Sequence, residues 1–437
     1  MSSIIHPSSI PSRSGVAGPL GLNTKSSPPP SSKQHQMTRS KRFLLLSRAR
    51  HILRSAALEK GLQVNNLHRT SKCVHTRISD NVHINTSKDT GKAFYSNVAA
   101  CGSVWACPVC SHKIQEKRRN DVAACMSAAY THGYTVHMVT LTFPHTHFDK
   151  CSDLLAKQKL ALEHLRKGGA FTKYLKNKLG YFGVMRSLEV THGKNGWHPH
   201  THELWVCDKD ADFSTMKSRI EDKWLSSLIK SGIVSDTDTK KHAQILEHSV
   251  DIHFNADTSD YLAKHDDASY LEATKKEKPR GWGADNEITK QSSKSRAIGR
   301  HPFQILADFN AKPNYKDKSL YLEYVLSFSE QRKRQLYIAP KIRKLAGLGQ
   351  DKTDIEIAED QSNHEFSGKL TSHDWSIVTE RKAQSLLLDY TEDKGYSHVY
   401  DWLLINGGGH HILESYYDNR RLIDLANYYH SPPVSDC

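Results

Sequence analysis

Three histidines at alternate positions give the clearest sign of chemistry, in the stretch GWHPHTHELW that begins at Gly196. Residues two apart on a β-strand point to the same face, so the imidazoles of His198, His200 and His202 would project together. Neutral imidazole is the commonest metal ligand among side chains, and two from one strand supply half of a site. Because the chain has 27 histidines, a histidine-rich edge strand without a metal is the alternative.

Four cysteines form a second group of potential ligands: Cys73, Cys101 and the pair Cys107 and Cys110 in the sequence CPVC. A C-x2-C pair lets two thiolates bind one ion, and two further thiolates complete a tetrahedral zinc site. Two nearby histidines could each replace a cysteine, His75 and His112. The pattern predicts structural zinc, and reduced cysteines without a metal are the alternative.

The charge of the chain bears on its partners. Its 61 Lys and Arg residues exceed its 47 Asp and Glu residues, which gives a formal net charge of +14. Such an excess favours a polyanionic partner, most often a nucleic acid. No stretch has the roughly eighteen apolar residues of a membrane span, and the N-terminus lacks the apolar core of a secretory signal. We therefore expect a cytoplasmic protein with no membrane partner, in which clustered cysteines indicate metal.

Regular elements must position these residues. Apolar periodicity and turn residues predict, in chain order, strand 134–143, helices 153–166 and 171–179, strands 182–191 and 196–206, helix 213–229 and strand 250–254. The turn sequence HGKNG makes strands 182–191 and 196–206 a hairpin. Glu189 would lie across from the histidines in one register and be exposed in a register shifted by one residue. In the first case its carboxylate is a candidate third ligand.

The predicted order of these elements is that of a split βαβ unit. Strand, helix, strand, strand, helix, strand is the order of a ferredoxin-like antiparallel sheet with flanking helices. The sequence therefore predicts an α+β fold.

Several motifs together resemble the HUH endonucleases, more narrowly the rolling-circle replication initiators of bacterial plasmids. The motifs are HPHTHEL at 198–204, TLT at 140–142, the cysteine knuckle followed by a basic helix, YLAK at 261–264 and HPFQIL at 301–306. The resemblance covers roughly residues 70–310, and HPHTHEL is its most specific part. It implies the HUH endonuclease fold, with an N-terminal zinc-knuckle segment and helical C-terminal additions.

The resemblance also implies a reaction, metal-dependent nicking and joining of one DNA strand. His200, His202 and Glu189 would hold Mg²⁺ or Mn²⁺, with His198 as an outer or alternative ligand. Tyr261 would attack the scissile phosphate, form a 5′-phosphotyrosine link and later allow religation. Lys264 would stabilise the developing charge. Some relatives terminate with a second Tyr and others with an acid, for which this chain offers two candidates, Tyr270 and Asp257.

A basic, glycine-containing segment follows the YLAK motif. Its cationic side chains suit contacts with a DNA backbone, although many such segments are solvated loops. The candidate DNA-binding residues are Lys275, Lys276, Lys278, Arg280, Lys294, Arg296 and Arg300. The implied partners are a replication origin, single-stranded or in a hairpin, and host replication proteins such as a helicase.

Four regions are expected along the chain. Residues 1–40 are rich in Ser, Pro and Gly and predict a disordered tail, and residues 41–125 hold a basic helix and the cysteines. Residues 130–310 form the HUH catalytic domain that the resemblance implies. Residues 311–437 form a C-terminal accessory region, which includes a helix over 320–345.

Two other functions remain open. A transposase or conjugative relaxase of the HUH class would share the nicking step but differ in its DNA partner. A zinc-stabilised DNA-binding protein without catalysis would use the cysteines and the basic segments, but it would leave the histidine triplet unexplained.

Overall fold

The computed structural model describes residues 32–59, 61, 67–256, 299–331 and 333–409. Within these residues the strands form two antiparallel sheets, and helices pack around both. The strands are β1 (Val82–Ser87), β2 (Ala93–Ser96), β3 (Tyr134–Leu141), β4 (Gly183–Gly193), β5 (Gly196–Asp208), β6 (Val250–His253), β7 (Leu336–Ile338) and β8 (His364–Leu370).

The helices connect and cover these strands. They are α1 (Ser32–Glu59), α2 (Pro108–Thr131), α3 (Cys151–Arg166), α4 (Gly169–Lys178), α5 (Met216–Lys230), α6 (Thr239–His248), α7 (Pro302–Ala311), α8 (Tyr315–Gln331), α9 (Pro340–Leu345), α10 (Asp354–Glu359), α11 (Ser372–Glu380), α12 (Gln384–Lys394) and α13 (Tyr396–Ile405). In the described part of the chain, no helix combines the length and the apolar composition needed to cross a membrane.

The large sheet has the strand order β6-β3-β5-β4-β7, and every neighbouring pair is antiparallel. Helices α3 and α4 connect β3 to β4, and α5 and α6 connect β5 to β6. The first four strands of this sheet therefore follow the split βαβ order. The predicted α+β class, with antiparallel strands and flanking helices, is confirmed.

Two apolar cores cover the faces of the large sheet. On one face, side chains of α3 and α5 such as Leu155 and Trp224 are fully buried. On the other face, Met126 of α2 packs with strand residues such as Leu204. In β3, β4 and β5, alternate residues enter opposite cores, as the period of two requires.

The small sheet joins the two ends of the described chain. Its order is β2-β1-β8, and Val82 of β1 pairs with Leu370 of β8. Helices α11 to α13 bury the apolar side chains on one of its faces. The predicted regions 41–125 and 311–437 thus share one sheet.

Two boundaries differ from the sequence-based expectations. The predicted helix 320–345 is instead α8, strand β7 and helix α9, so the C-terminal additions are not wholly helical. Leu336 pairs with Ser187 at the edge of the sheet, and Pro340 starts a new helix because its fixed φ suits a first helical turn. Helix α1 begins at Ser32, inside the predicted tail, because no Pro or Gly interrupts the chain from there to Gly61.

Candidate metal centres

The hairpin of β4 and β5 sets the position of Glu189. Gly193 pairs with Gly196 across the tight turn, and counting back along the ladder places Glu189 opposite His200. A positive φ of 85° at Gly196 lets the chain reverse there, and a Cβ at this residue would lie 2.8 Å from the Cα of His147. The register therefore puts the carboxylate on the histidine face of the sheet.

Three side chains converge on this face. The Glu189 Oε2 atom lies 3.3 Å from the Nε2 atom of His200 and 3.4 Å from the Nε2 atom of His202. One ligand atom from each residue lies within 4.8 Å of the other two. We call Glu189, His200 and His202 the triad.

The other ring nitrogens of the two histidines face oxygen atoms. The Nδ1 atom of His202 lies 3.0 Å from the Thr140 hydroxyl of β3, and the Nδ1 atom of His200 lies 3.2 Å from the His198 carbonyl oxygen. If each Nδ1–H donates to its oxygen, a metal ion can replace the Nε2 proton that faces Glu189 without a change in ring orientation. Such partners fix the tautomer and the orientation of metal-binding imidazoles.

The carboxyl of Glu189 is held in its ionised form. Burial alone would raise its pKa, but the charges of His200 and His202 and their hydrogen bonds outweigh burial and hold that pKa well below its usual range. An ionised carboxylate beside two imidazoles is a donor set for a divalent ion.

The spacing of the donors fits a small divalent ion. Ligands at about 2.1 Å from an ion are separated by about 3.0 Å in octahedral geometry and by about 3.4 Å in tetrahedral geometry. The two measured separations, 3.3 and 3.4 Å, lie close to this range. Two nitrogen donors suit Mn²⁺ better than Mg²⁺, which prefers oxygen.

His198 lies beside the triad and is not one of its members. Its ring lies 5.0 Å from the ring of His200, and its Nδ1 atom lies 2.8 Å from the Nε2 atom of His145. The Nδ1 atom of His145 in turn lies 2.9 Å from the Asn195 carbonyl oxygen. If His145 donates to that carbonyl, His198 donates to His145 and keeps a lone pair on its own Nε2.

The ring of His198 is uncharged at neutral pH. Burial, and then the neighbouring His200 and His145, lower the pKa of His198 to about 3. Sequence reasoning missed His145, and the only available signal was its place two residues after the TLTF strand end.

The four cysteines lie together in the second candidate centre. The Sγ atom of Cys73 lies 3.5 Å from that of Cys110 and 3.6 Å from that of Cys107, and the Sγ atoms of Cys101 and Cys110 are 3.7 Å apart. All four side chains are buried. These separations are too long for disulfides, which require about 2.05 Å. Tetrahedral zinc, with Zn–S bonds of about 2.3 Å, requires S···S separations of about 3.8 Å.

Hydrogen-bond donors surround the cysteine cluster. The Thr70 hydroxyl donates to the Cys101 sulfur at 3.5 Å, and the Cys110 amide in the first turn of α2 donates to the Cys107 sulfur at 3.4 Å. Arg50 of α1 donates to the carbonyl oxygens of residues 73 and 74. Buried thiolates with such donors fit a structural metal. The two alternative ligands, His75 and His112, are not members of the cluster.

The remaining predicted site residues lie mostly outside the described residues. This applies to Asp257, Tyr261, Lys264, Tyr270, Lys275, Lys276, Lys278, Arg280, Lys294 and Arg296. Arg300 is described, and its guanidinium donates to Asp308 at 2.8 Å and pairs with Asp317 at 2.9 Å. Two carboxylates thus pair with the Arg300 guanidinium, which we expected to contact DNA.

Both ends of segment 257–298 are attached to the strands around the triad. The amide of Ala256 donates to the Val136 carbonyl of β3, and Ala256 is buried on the sheet face that holds the triad. On return, Arg300 exchanges backbone hydrogen bonds with His192 of β4, three residues from Glu189. The segment with the predicted nucleophile therefore leaves and rejoins the sheet on strands that contribute to the site.

Comparison with known proteins points to DNA replication. Residues 93–310, just under half of the chain, match the model of a family described as "Replication protein". "Protein rep" of Streptomyces lividans is 29% identical, in a match that covers 26% of this chain and 31% of that protein. "Neomycin resistance protein" of Streptomyces cyanogenus is 28% identical, over 26% of this chain and 32% of that protein.

The extent of these matches is limited. The chain spans about a third of the length of these curated relatives. No solved structure shows a significant match. The family match includes the triad and three of the four cysteines, and together the similarities support a replication protein.

Proposed function

We propose that this chain is a rolling-circle plasmid replication initiator, which nicks one strand at the origin through a tyrosine and later rejoins it. The observation that carries the proposal is the convergence of Glu189, His200 and His202 at the end of the central hairpin. The match to a replication family supports DNA as the substrate.

The triad would hold Mg²⁺ or Mn²⁺. When bound, the ion would act as a Lewis acid that polarises the scissile phosphate. Glu189 supplies negative charge that offsets the charge of the ion. With the ion bound, hydrogen bonds from Nδ1 to Thr140 and to the His198 carbonyl would keep the two imidazoles in the tautomer that presents Nε2.

Tyr261 is the proposed nucleophile. Its Oη atom would form a bond to phosphorus while the bond from phosphorus to the 3′ oxygen breaks, which leaves a 5′-phosphotyrosine and a free 3′ hydroxyl. The reverse attack by a 3′ hydroxyl would rejoin the strand, because the phosphotyrosine preserves the energy of the phosphodiester. Lys264, three residues later, would stabilise phenolate or transition-state charge, and Asp257 or Tyr270 would serve in termination.

The attachment of segment 257–298 supports this assignment. Ala256 bonds to Val136, four residues along β3 from Thr140, a distance of about 13 Å at the usual rise of a strand. Five residues span at most about 17 Å, so the chain from Ala256 is long enough to bring Tyr261 level with Thr140 along the sheet.

The cysteine cluster would bind zinc and hold the N-terminal segment against the catalytic domain. Tyr321 of α8 donates to the Ala106 carbonyl at 2.6 Å, next to Cys107, and Arg50 of α1 binds the loop at Cys73. The cluster therefore lies where three separate parts of the chain meet, which supports a structural role for a bound ion.

The alternatives differ in what they leave unexplained. A DNA-binding protein without catalysis would have no need for an ionised carboxylate between two oriented imidazoles. A transposase or relaxase of the same class would fit the triad, but the family match favours replication. Host replication proteins, such as a helicase, would then act on the nicked origin.

The experiment is covalent capture of DNA by the full chain. Single-stranded DNA from the replicon that encodes the protein is incubated with Mn²⁺ or Mg²⁺ and resolved on a denaturing gel. We expect a protein–DNA adduct that is lost in Tyr261→Phe and retained in the matched control Tyr270→Phe. An adduct with Tyr261→Phe would show that another residue is the nucleophile.

Dependence on the metal needs its own variant. A chelator would also remove an ion from the cysteine cluster, so Glu189→Gln is the sharper test. We expect this variant to bind the strand but to form little adduct. If neither metal supported an adduct with any strand of the replicon, the binding-protein alternative would be favoured.

A further inference from the structure

The small sheet has one face that its helices do not cover. Val82 and Ile84 of β1 are fully buried against the C-terminal helices, so His83 and Asn85 project from the opposite face. Asn85 pairs with Phe94 of β2 on one side and with Phe366 of β8 on the other.

Four rings lie together on this outward face. The ring of His83 lies 5.2 Å from that of Phe366, and the ring of Phe94 lies 5.9 Å from that of His364, both in edge-to-face geometry. Asn85 lies between them, is only 2% exposed and donates to the Ser96 hydroxyl at 2.8 Å. We call His83, Phe94, His364 and Phe366 the aromatic face.

The aromatic face is accessible to solvent. Phe366 is 56% exposed and His364 is exposed, while Phe94 and His83 are half-buried. Among the described residues, helices α11 to α13 pack on the other face of this sheet, and α2 reaches the outward face through Lys113. A cluster of exposed rings is a common mark of a binding surface.

Cationic side chains border the rings. Lys369 pairs with His83 and so points outward. Lys113 of α2 lies over the Phe94 ring, with its Nζ atom 5.7 Å from the ring centre, but this ammonium is held by the carbonyl oxygens of Ala358 and Asp360 at 3.0 and 2.7 Å. Lys92 extends the same face at the β1–β2 turn. Three acids lie near this sheet: Glu365 alternates to the inner face, Asp360 pairs with Lys352, and Asp89 of the β1–β2 turn accepts a hydrogen bond from Asn363.

We propose that the aromatic face binds single-stranded DNA by stacking unpaired bases on Phe94 and Phe366 while Lys92 and Lys369 contact phosphates. Exposed rings on a sheet, bordered by cations, match a ligand with flat apolar bases and a negative backbone. A second copy of the same face would bring like charges together, which disfavours self-association. The proposal extends the proposed function, since its ligand is the strand to be cut, but it needs neither the triad nor Tyr261.

The test measures binding without the reaction. A fluorescein-labelled single strand of 20 nucleotides of mixed sequence is titrated with the full chain at fixed salt, without added divalent ion, and anisotropy is recorded. We expect Phe366→Ala to raise Kd about tenfold, and the double variant with Phe94→Ala to raise it further. Phe366→Trp should bind at least as well as the unaltered chain.

A matched control separates stacking from general effects. Tyr315 is 83% exposed at the start of α8, and Tyr315→Ala should leave Kd unchanged. A strand that carries 2-aminopurine should lose fluorescence on binding to the unaltered chain and lose less with Phe366→Ala. Melting temperatures would show that the variants are folded, as expected for so exposed a ring.

Two outcomes would overturn the proposal. One is a Kd for the double variant equal to that of Tyr315→Ala. The other is a concentration-dependent dimer, seen by sedimentation, that Phe366→Ala abolishes without change in Kd, since a second copy would then occupy the face. Failure of the proposed function would look different. Covalent capture of DNA would then be absent, while Phe366→Ala would still bind the labelled strand more weakly than the unaltered chain does.

Discussion

Glu189 of β4 lies directly opposite His200 of β5, with 3.3 Å between its Oε2 atom and the Nε2 atom of His200. The same oxygen lies 3.4 Å from the Nε2 atom of His202. One carboxylate oxygen thus faces two imidazoles from a single strand, and a divalent ion at this point would replace two weak hydrogen bonds by three coordinate bonds.

Removal of the carboxylate should weaken metal binding most. Glu189→Gln keeps the shape of the side chain but removes its charge, so we expect Mn²⁺ affinity to fall at least 10- to 100-fold. A fall of this size is typical even when the mutated residue only hydrogen-bonds to a metal ligand. Calorimetric titration of Mn²⁺ into protein dialysed without a chelator, so that the cysteine cluster keeps its ion, measures this affinity. The exposed Glu247→Gln should bind Mn²⁺ as the unaltered chain does, and equal affinity in Glu189→Gln would remove this residue from the ligand set.

The Thr140 hydroxyl should matter through His202. Thr140→Val keeps the shape of the side chain and removes the oxygen that lies 3.0 Å from the Nδ1 atom of His202. With its tautomer no longer fixed, His202 should bind the ion more weakly, and we expect Mn²⁺ affinity to fall about tenfold. Thr135→Val, on the same strand but bonded to Asn255, is the control. No difference between the two variants would show that the hydroxyl does not orient the imidazole.

Much of the arrangement of the triad could be predicted from local sequence. Side chains alternate between the two faces of a strand, and a short turn between two strands makes a hairpin. These rules place His198, His200 and His202 on one face and make Glu189 a candidate, but only the observed pairing of Gly193 with Gly196 fixes its register. Thr140 belonged to the TLT motif at the end of the predicted strand 134–143, and its hydrogen bond to His202 required the structure.

The short strands illustrate why the remainder of the fold could not be predicted. Strand β8 pairs with β1 across more than 270 residues, and β7 has only three residues. Such strands are stabilised by distant partners and not by their own pattern, so the Leu-containing stretch 320–345 was expected to be one helix. The aromatic face arises from the same long-range pairing, and no local pattern joins Phe94 to Phe366.

The cysteine cluster should contain zinc in the purified protein. Elemental analysis should find one zinc per chain, and Cys107→Ser should lose it. Zinc binding contributes about 10 kcal/mol or more in small zinc domains, whereas an ordinary substitution costs about 1 kcal/mol, so we expect a large fall in Tm. Cys207→Ser removes a buried thiol outside the cluster and should keep its zinc. A full zinc content in Cys107→Ser would contradict the four-cysteine site.

The contact between α1 and α12 should make stability depend on pH. Arg39 pairs with both Asp389 and Glu392, and burial, opposed by Arg39 and reinforced by Glu392, raises the pKa of Asp389 to about 6. Because folding raises the pKa of this carboxyl, its contribution to the free energy of unfolding is fully present below its unfolded pKa near 4. That contribution is lost as the pH rises through 6.

Urea unfolding at pH 5 and at pH 7.5 measures this effect. Because solvent screens part of the interaction, we expect Asp389 to account for a loss of about 1 kcal/mol in the free energy of unfolding between these two values. Asp389→Asn cannot ionise, so its stability should change less over the same interval, while the exposed Asp401→Asn should behave as the unaltered chain does. The same loss in Asp389→Asn would mean that the pH dependence arises at another group, and Arg39 would then hold two carboxylates that are both ionised throughout this range.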